Sequence, residues 1–175
     1  NASNLLTAQA LFANPRKRMQ RDRRGLALSA ARSLLFNQVL SGRVQAGTWN
    51  RAIRGDAMQL DGSHSFFIAE TLDAELDARL EQHDIHPTGP LHGRGESPVQ
   101  ADCLELEQAV LREYAGWCSG LEAAGLKQDR RALRLVVSDL AGEACDDGDW
   151  QLQFSLPAGA YATTVLRELV DVTGW

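Results

Sequence analysis

Six of the nine residues in RKRMQRDRR, from Arg16 to Arg24, are basic, and such a run attracts a phosphate backbone through counterion release. The candidates are Arg16, Lys17, Arg18, Arg21, Arg23 and Arg24; the competing reading is a solvated helix face without a partner. A second constellation places His83, His86 and His92 near Asp84. Zinc ligands come in tight pairs such as HExxH or CxxC, whereas a Thr-Gly-Pro turn separates the last two of these histidines, so no metal is expected and they read as loop-stabilising or solvated. Asp56, in RGDAMQL beside Arg51 and Arg54, is the carboxylate with the most nucleophile-like neighbours. An aspartate before a strand is more often a turn residue, and on that reading its removal costs about 1 kcal/mol. Finally, LPAGAYATTVLREL reads as a strand end, a Pro157-Ala158-Gly159 turn and a helix start. Its free N–H groups, beside Tyr161, Thr163 and Thr164, suit an anion or the polar edge of a ligand. GxSxG, GxGxxG and GxxxxGK[ST] are all absent, so neither a serine-hydrolase elbow nor the usual nucleotide cradles are signalled.

The elements that must position these groups follow from periodicity. SNLLTAQALFA sets Leu5, Ala8, Leu11 and Phe12 at helical spacing, with Ser3 or Asn4 placed to cap, and Asn14-Pro15 ends the helix. DRRGLALSAARSLLFNQVLSGRVQAG is a longer helix whose stripe of Leu28, Ala31, Leu35 and Val39 excludes Arg24 and Arg32. Met58 and Leu60, the Asp61-Gly62 turn and residues 66–69 form a hairpin. DAELDARLEQHDI is helical. HPTGPLHGRGESP, with three prolines and three glycines, is expected to be a loop, and a loop of this kind is often functional. ADCLELEQAVLREYAGWCSGLEAAG is expected as one helix stopped by Gly125. RALRLVVSDL and DWQLQFSLP alternate as strands, the second with Leu152, Phe154 and Leu156 on one face. The texture is α+β, without repeats.

Composition narrows the classes. The 175 residues carry a net charge of -5, yet residues 1–54 hold ten bases and one acid (+9), while residues 55–175 hold eight bases and twenty-two acids (-14). Three cysteines without CxxC spacing signal neither a disulfide framework nor a zinc ribbon, which fits a reducing cytoplasm. No apolar run is long enough to cross a bilayer, and the basic residues after the first apolar segment reverse the order of a secretory signal. The chain begins at Asn1 rather than Met, which we read as an internal point of a longer protein.

Three stretches in the same order, ALSAARSLLFNQVLSGRV (27–44), IHPTGPLHG (85–93) and FSLPAGAYATTVLREL (154–169), resemble the TruD family of tRNA pseudouridine synthases, the first two its insertion region and the third its C-terminal motif. SNLLTAQALF is similar to the segment that in the family follows Asn-x-Phe-Gly-x-Gln-Arg-Phe-Gly. That motif is missing here, and so is Gly-x-Lys-Asp, which carries the catalytic aspartate. The resemblance implies an α+β fold in which an inserted α/β domain of the TruD type adjoins the C-terminal strand-helix part of the catalytic domain. It implies helices and a basic linker of the catalytic domain at 1–35, the inserted domain at 36–132, and catalytic-domain strands and helix at 133–175. The implied activity of the intact protein is isomerisation of uridine 13 of transfer RNA to pseudouridine, without cofactor or metal, by a cytoplasmic monomer that touches no membrane. No catalytic residue would lie in this chain. Gly159, Tyr161, Thr163 and Arg167 would wall the uridine pocket, and the run from Arg16 to Arg24 would hold transfer RNA by its phosphates. The alternatives are a non-catalytic RNA-binding module of the same fold and an unrelated small α+β enzyme using the loop from His83 to His92.

Overall fold

The computed structural model describes residues 2–16, 18–146, 148–157 and 160–170. They form two compact units, residues 1–134 and 135–175. No helix among the described residues is long and apolar enough to cross a membrane.

In the first unit α1 (Ala2–Ala13) packs on α2 (Arg21–Gln45). Ser3 and Asn4 lie inside the first turn of α1 rather than capping it. The expected stripe of α2 is buried at Leu28, Ala31, Leu35 and Val39, and the first three of these pack with Ala8, Leu11 and Leu121. Next come β1 (Asp56–Leu60), β2 (Phe66–Ala69), α3 (Ala74–Glu81) and β3 (Ile85–Leu91). The helices α4 (Ala101–Arg112) and α5 (Ala115–Ala123) lead to β4 (Asp129–Ala132). One antiparallel sheet has the order β2-β1-β3-β4. Successive side chains of β1 take opposite faces: Met58 meets Leu76 and Leu80 of α3, while Ala57 meets Val99 and Cys103. Asp73 caps α3 by accepting from the Leu76 N–H at 2.9 Å.

Three local expectations are corrected. IHPTGPL is not a loop but the buried central strand β3. Prolines survive there because the strand changes partners along its length: residues 85–87 pair with β1 and residues 88–91 with β4. Pro87 takes part through its carbonyl, which accepts from the Leu133 N–H at 2.8 Å. Gly89 is required for a separate reason, since a Cβ there would lie 2.9 Å from the Phe36 ring of α2. The segment expected as one helix is two, broken at Glu113 and Tyr114. The break re-aims the chain, so that α4 covers β1 while α5 packs on α1 through an edge-to-face pair of Phe12 and Trp117, 5.8 Å apart at 89°. RALRLVVSDL is likewise not one strand: β4 ends at Ala132 and β5 starts at Ser138, across the limit between the units. The first expected domain limit, between residues 35 and 36, falls inside α2.

Asp56 is the fourth correction. It is fully buried and bonds Arg43, itself 1% exposed, at 2.8 Å. Gly55 directs it inward: its φ is +81°, and a Cβ there would collide with the Gln100 carbonyl. The Arg43 guanidinium also donates to the carbonyls of Thr48 and Arg51 at 2.8 Å each. Beside this pair Arg130 and Glu107 form a second one, two-pronged at 2.7 and 3.0 Å. Arg130 donates in addition to Thr88 Oγ1, which donates to the Ala57 carbonyl. Cys103 Sγ lies between the pairs, 3.5 Å from Asp56 and 3.8 Å from Glu107. Burial pushes the Asp56 carboxyl above the usual carboxylate range, with Arg43 pulling against it. Burial and the two flanking carboxylates also push the Cys103 thiol up.

The second unit consists of the hairpin of β5 (Ser138–Ala144) and β6 (Trp150–Ser155), followed by α6 (Ala162–Leu169). Along β6, Leu152 and Phe154 are the half-buried side chains, and the residues between them are exposed. In α6 Val165 is buried, whereas Leu169 and, just after the helix, Val170 are about half exposed.

Removing one member of a buried pair strands the other charge, which costs about 3–5 kcal/mol. Asp56→Ala should therefore lower the unfolding free energy by that amount in urea titration. A loss near 1 kcal/mol would return Asp56 to the role of a turn residue.

Candidate nucleic-acid interface

The basic run divides between the α1–α2 connection, with Arg16 and Arg18, and the first turn of α2, with Arg21, Arg23 and Arg24. Lys17 lies outside the described residues. Arg16, Arg18, Arg21 and Arg23 are exposed and Arg24 is half-buried. Among the described residues none of these five arginines forms an ion pair or a side-chain hydrogen bond. The first turn of a helix already carries positive partial charge, and its leading N–H groups lack partners. Here the N-cap is Gln20, without a side-chain cap, and Asp22 is the only acid in the turn. Three arginines at that end repel the dipole unless an anion is present, which is the arrangement a phosphate satisfies.

Between α1 and this turn runs an open groove of about 520 Å³, with Arg18 and Arg23 on its wall and Leu6 and Ala10 on its apolar side. Leu6, on the first helix, is 67% exposed. Cations beside an exposed apolar surface suit a nucleic acid, which offers phosphates and base faces together.

The histidines do not converge. Arg134 donates from Nε to His86 Nδ1 at 3.0 Å, which leaves the ring proton on Nε2 to donate to Asp61 at 2.9 Å. With both nitrogens engaged, His86 ties β3 to the β1–β2 turn and to the end of the first unit. His92 pairs with Glu122 at 2.9 Å, and His83 takes a φ of +59° just after α3. Among the described residues no three His, Cys, Asp or Glu side chains are grouped to hold a metal ion.

In the second unit Tyr161 is the N-cap of α6 and 75% exposed. Thr163 and Arg167 follow four residues apart on one side of that helix, both exposed, opposite the buried Val165. Gly159 lies outside the described residues.

The residues that sequence reasoning missed are Arg43, Glu107 and Arg130. A signal existed for two of them: Arg43 continues the spacing of Leu35 and Val39, and Glu107 lies four residues after Cys103. A charge on a buried stripe demands a buried partner.

Comparison with known proteins adds to this geometry. The family model described as tRNA pseudouridine synthase D (TruD) matches residues 4–169. A protein of Methylococcus capsulatus named tRNA pseudouridine synthase D is 51% identical over 174 residues, covering 98% of this chain and 49% of that protein. One of the same name from Nitrosococcus oceani is 59% identical over 148 residues, covering 84% of this chain and 41% of its own. The crystal structure named for tRNA pseudouridine synthase D of Methanosarcina mazei superposes with a TM-score of 0.67 at 26% identity, over 91% of this chain and 42% of the other. The chain spans about half the length of the curated relatives it matches.

Two outcomes are expected. Replacing Arg18 and Arg23 by Gln should flatten the log-log salt dependence of RNA binding by ~0.7–0.9 for each phosphate no longer neutralised; an unchanged slope would make this a bare solvated face. The hydrogen bond from His86 holds the Asp61 carboxyl below its usual range. Its stabilisation is thus complete above the ordinary carboxylate pKa, about 3.9, and lost as pH falls through the lower folded value. Asp61→Asn should lose less stability than the parent on acidification below about pH 4, read from urea midpoints at each pH.

Proposed function

Since the chain belongs to the tRNA pseudouridine synthase D family, we propose that the intact protein is a cytoplasmic, monomeric enzyme that isomerises uridine 13 of transfer RNA to pseudouridine. The reaction breaks the glycosidic bond, turns the base and rejoins it through carbon, so uracil is neither oxidised nor reduced and no cofactor is required. The aspartate that assists cleavage belongs to a Gly-x-Lys-Asp motif upstream of this chain. The target must leave its stack to be reached.

On this reading the first unit grips transfer RNA through Arg16, Lys17, Arg18, Arg21, Arg23 and Arg24, mainly by phosphate and shape. The observation that carries it is the set of arginines without carboxylate partners at the uncapped start of α2, beside an open groove. The second unit supplies the closing strands and helix of the catalytic domain, and Gly159, Tyr161, Thr163 and Arg167 border the uridine. Its make-up supports this: an isolated two-stranded hairpin is marginal in water, and Leu140, Trp150, Leu169 and Val170 are all exposed at 47% or more. On this reading these side chains are covered by other parts of the intact protein.

The location of the aspartate has support from the carboxylates that are here. Among the described residues the buried carboxylates are Asp56 and Glu107, and they are committed to Arg43 and Arg130. A carboxylate held in that way has no free face for a sugar or base.

Tritium release from uracil-labelled, unmodified transfer RNA tests the proposal. Full-length protein should turn over, the 175-residue chain should not, and changing the upstream aspartate to alanine should abolish activity. Tyr161→Ala and Arg167→Ala should reduce turnover without abolishing it. Transfer RNA binding by the full-length protein without any tritium release would identify a non-catalytic RNA-binding module instead.

A further inference from the structure

A second cluster of cations lies away from the groove, where α2 meets β4. Phe36 of α2 packs on β3 at Gly89, and the Arg131 guanidinium covers the ring with its carbon 3.9 Å from the centroid. Arg32 stands one turn before Phe36. Its Nη2 donates to the carbonyls of Leu91 at 2.7 Å and Lys127 at 3.1 Å, while its Nε is closed off from solvent without a partner. Lys127, two residues before β4, and Asp129 and Arg131 on alternate positions of that strand are exposed. Among the described residues neither Lys127 nor Arg131 forms an ion pair.

These cations hold one another at an electrostatic cost. Partial desolvation of the two guanidinium groups, for Arg131 on the side that meets Phe36, weakens their hold on their protons, and the charge of Arg32 depresses that of Arg131 further. Asp129 is the acid that acts on Arg32, and its Oδ1 also accepts from the Arg130 N–H. Asp129 is not among the groups that act on Arg131. Arg131 lies on the edge strand with its guanidinium over an aromatic ring, which restrains the fork, a donor set that matches phosphate oxygens two at a time. Arg21, in the first turn of α2, lies three helical turns before Arg32 on nearly the same side, about 16 Å away. The cluster, through Arg32, and the basic run, through Arg21, Arg23 and Arg24, are thus carried by the same helix.

We propose that Arg32, Lys127 and Arg131 form a second phosphate-binding site, which takes a backbone phosphodiester of bound RNA beyond the groove at the α1–α2 connection. This assignment of an RNA ligand rests on the function proposed above. The phosphate bonds the fork of Arg131, with Lys127 beside it, and relieves the repulsion between Arg131 and Arg32. Phe36 acts as the platform that keeps the fork in place.

The test measures binding of an unmodified transfer RNA transcript by the 175-residue chain as a function of salt, together with a titration of inorganic phosphate followed on the arginine Nε–Hε resonances. Arg131→Gln and Lys127→Gln should each lower the log-log salt slope by ~0.7–0.9. Lys127 is exposed and outside the core, so its variant reports even if Arg131→Gln folds poorly. A lowered slope with an unchanged melting temperature supports the site. Slopes unchanged in both variants, while Arg18→Gln lowers its own, overturn the site and leave the groove as the place where RNA binds. If transfer RNA does not bind at all, the RNA reading fails, and inorganic phosphate decides: saturable shifts at Arg32 and Arg131 keep a phosphate site, and their absence removes it.

Discussion

The pairing of Arg43 with Asp56 is the constraint on which the first unit depends. Two groups that would each be ruinous alone in the interior are brought together from the end of α2 and the first residue of β1. Arg43 also gathers the carbonyls of Thr48 and Arg51, so a single guanidinium fixes the whole passage from helix to sheet. Through Cys103 the pair adjoins Glu107 and Arg130, and through Thr88 it reaches the backbone of β1 again. Elements α2, β1, α4, β3 and β4 are thereby held in one register. A core of the same size made from leucines would bind as strongly but would not discriminate one helix register from the next.

This arrangement gives α2 two chemically opposite ends. At Arg43 the helix delivers a cation into the protein, where a carboxylate waits. At Arg21, Arg23 and Arg24 it presents cations to solvent at the pole of the helix that least favours them. The first end is satisfied by the fold and the second is not, so the second is the end that can still gain free energy from a ligand. Because α2 is anchored at the satisfied end and along its stripe to Leu11 and Leu121, its open end is held rigidly. A rigid array of charges binds a polyanion with less ordering cost than a flexible tail would.

The central strand β3 shows how polar and special residues serve that anchoring. Pro87 and Pro90 stiffen it, Gly89 admits Phe36, Thr88 contributes to the buried network and His86 is locked by Asp61 and Arg134. What looks in sequence like the vocabulary of a loop is used here to build a strand that must accept a helix on one face and hydrogen bonds from changing neighbours.

The sequence by itself determined the elements whose side chains repeat with a clear period: α1, the stripe of α2, the hairpin of β1 and β2, α3, and the alternation of β6. It also determined where positive charge accumulates, and its three ordered stretches indicated the family that the comparisons then established. Periodicity and charge are properties of neighbours in the chain, so they can be read without the fold. Tertiary structure alone decided that IHPTGPL is a strand, that the helix from Ala101 breaks at Tyr114, and that Asp56 is interior. Each of these depends on groups distant in sequence: the turn-rich strand on partners in β1 and β4, the broken helix on the separate surfaces of β1 and α1, and Asp56 on Arg43. A local pattern ranks the preferences of a segment, but a buried charge or a proline in a sheet is permitted only by what the rest of the chain brings to it.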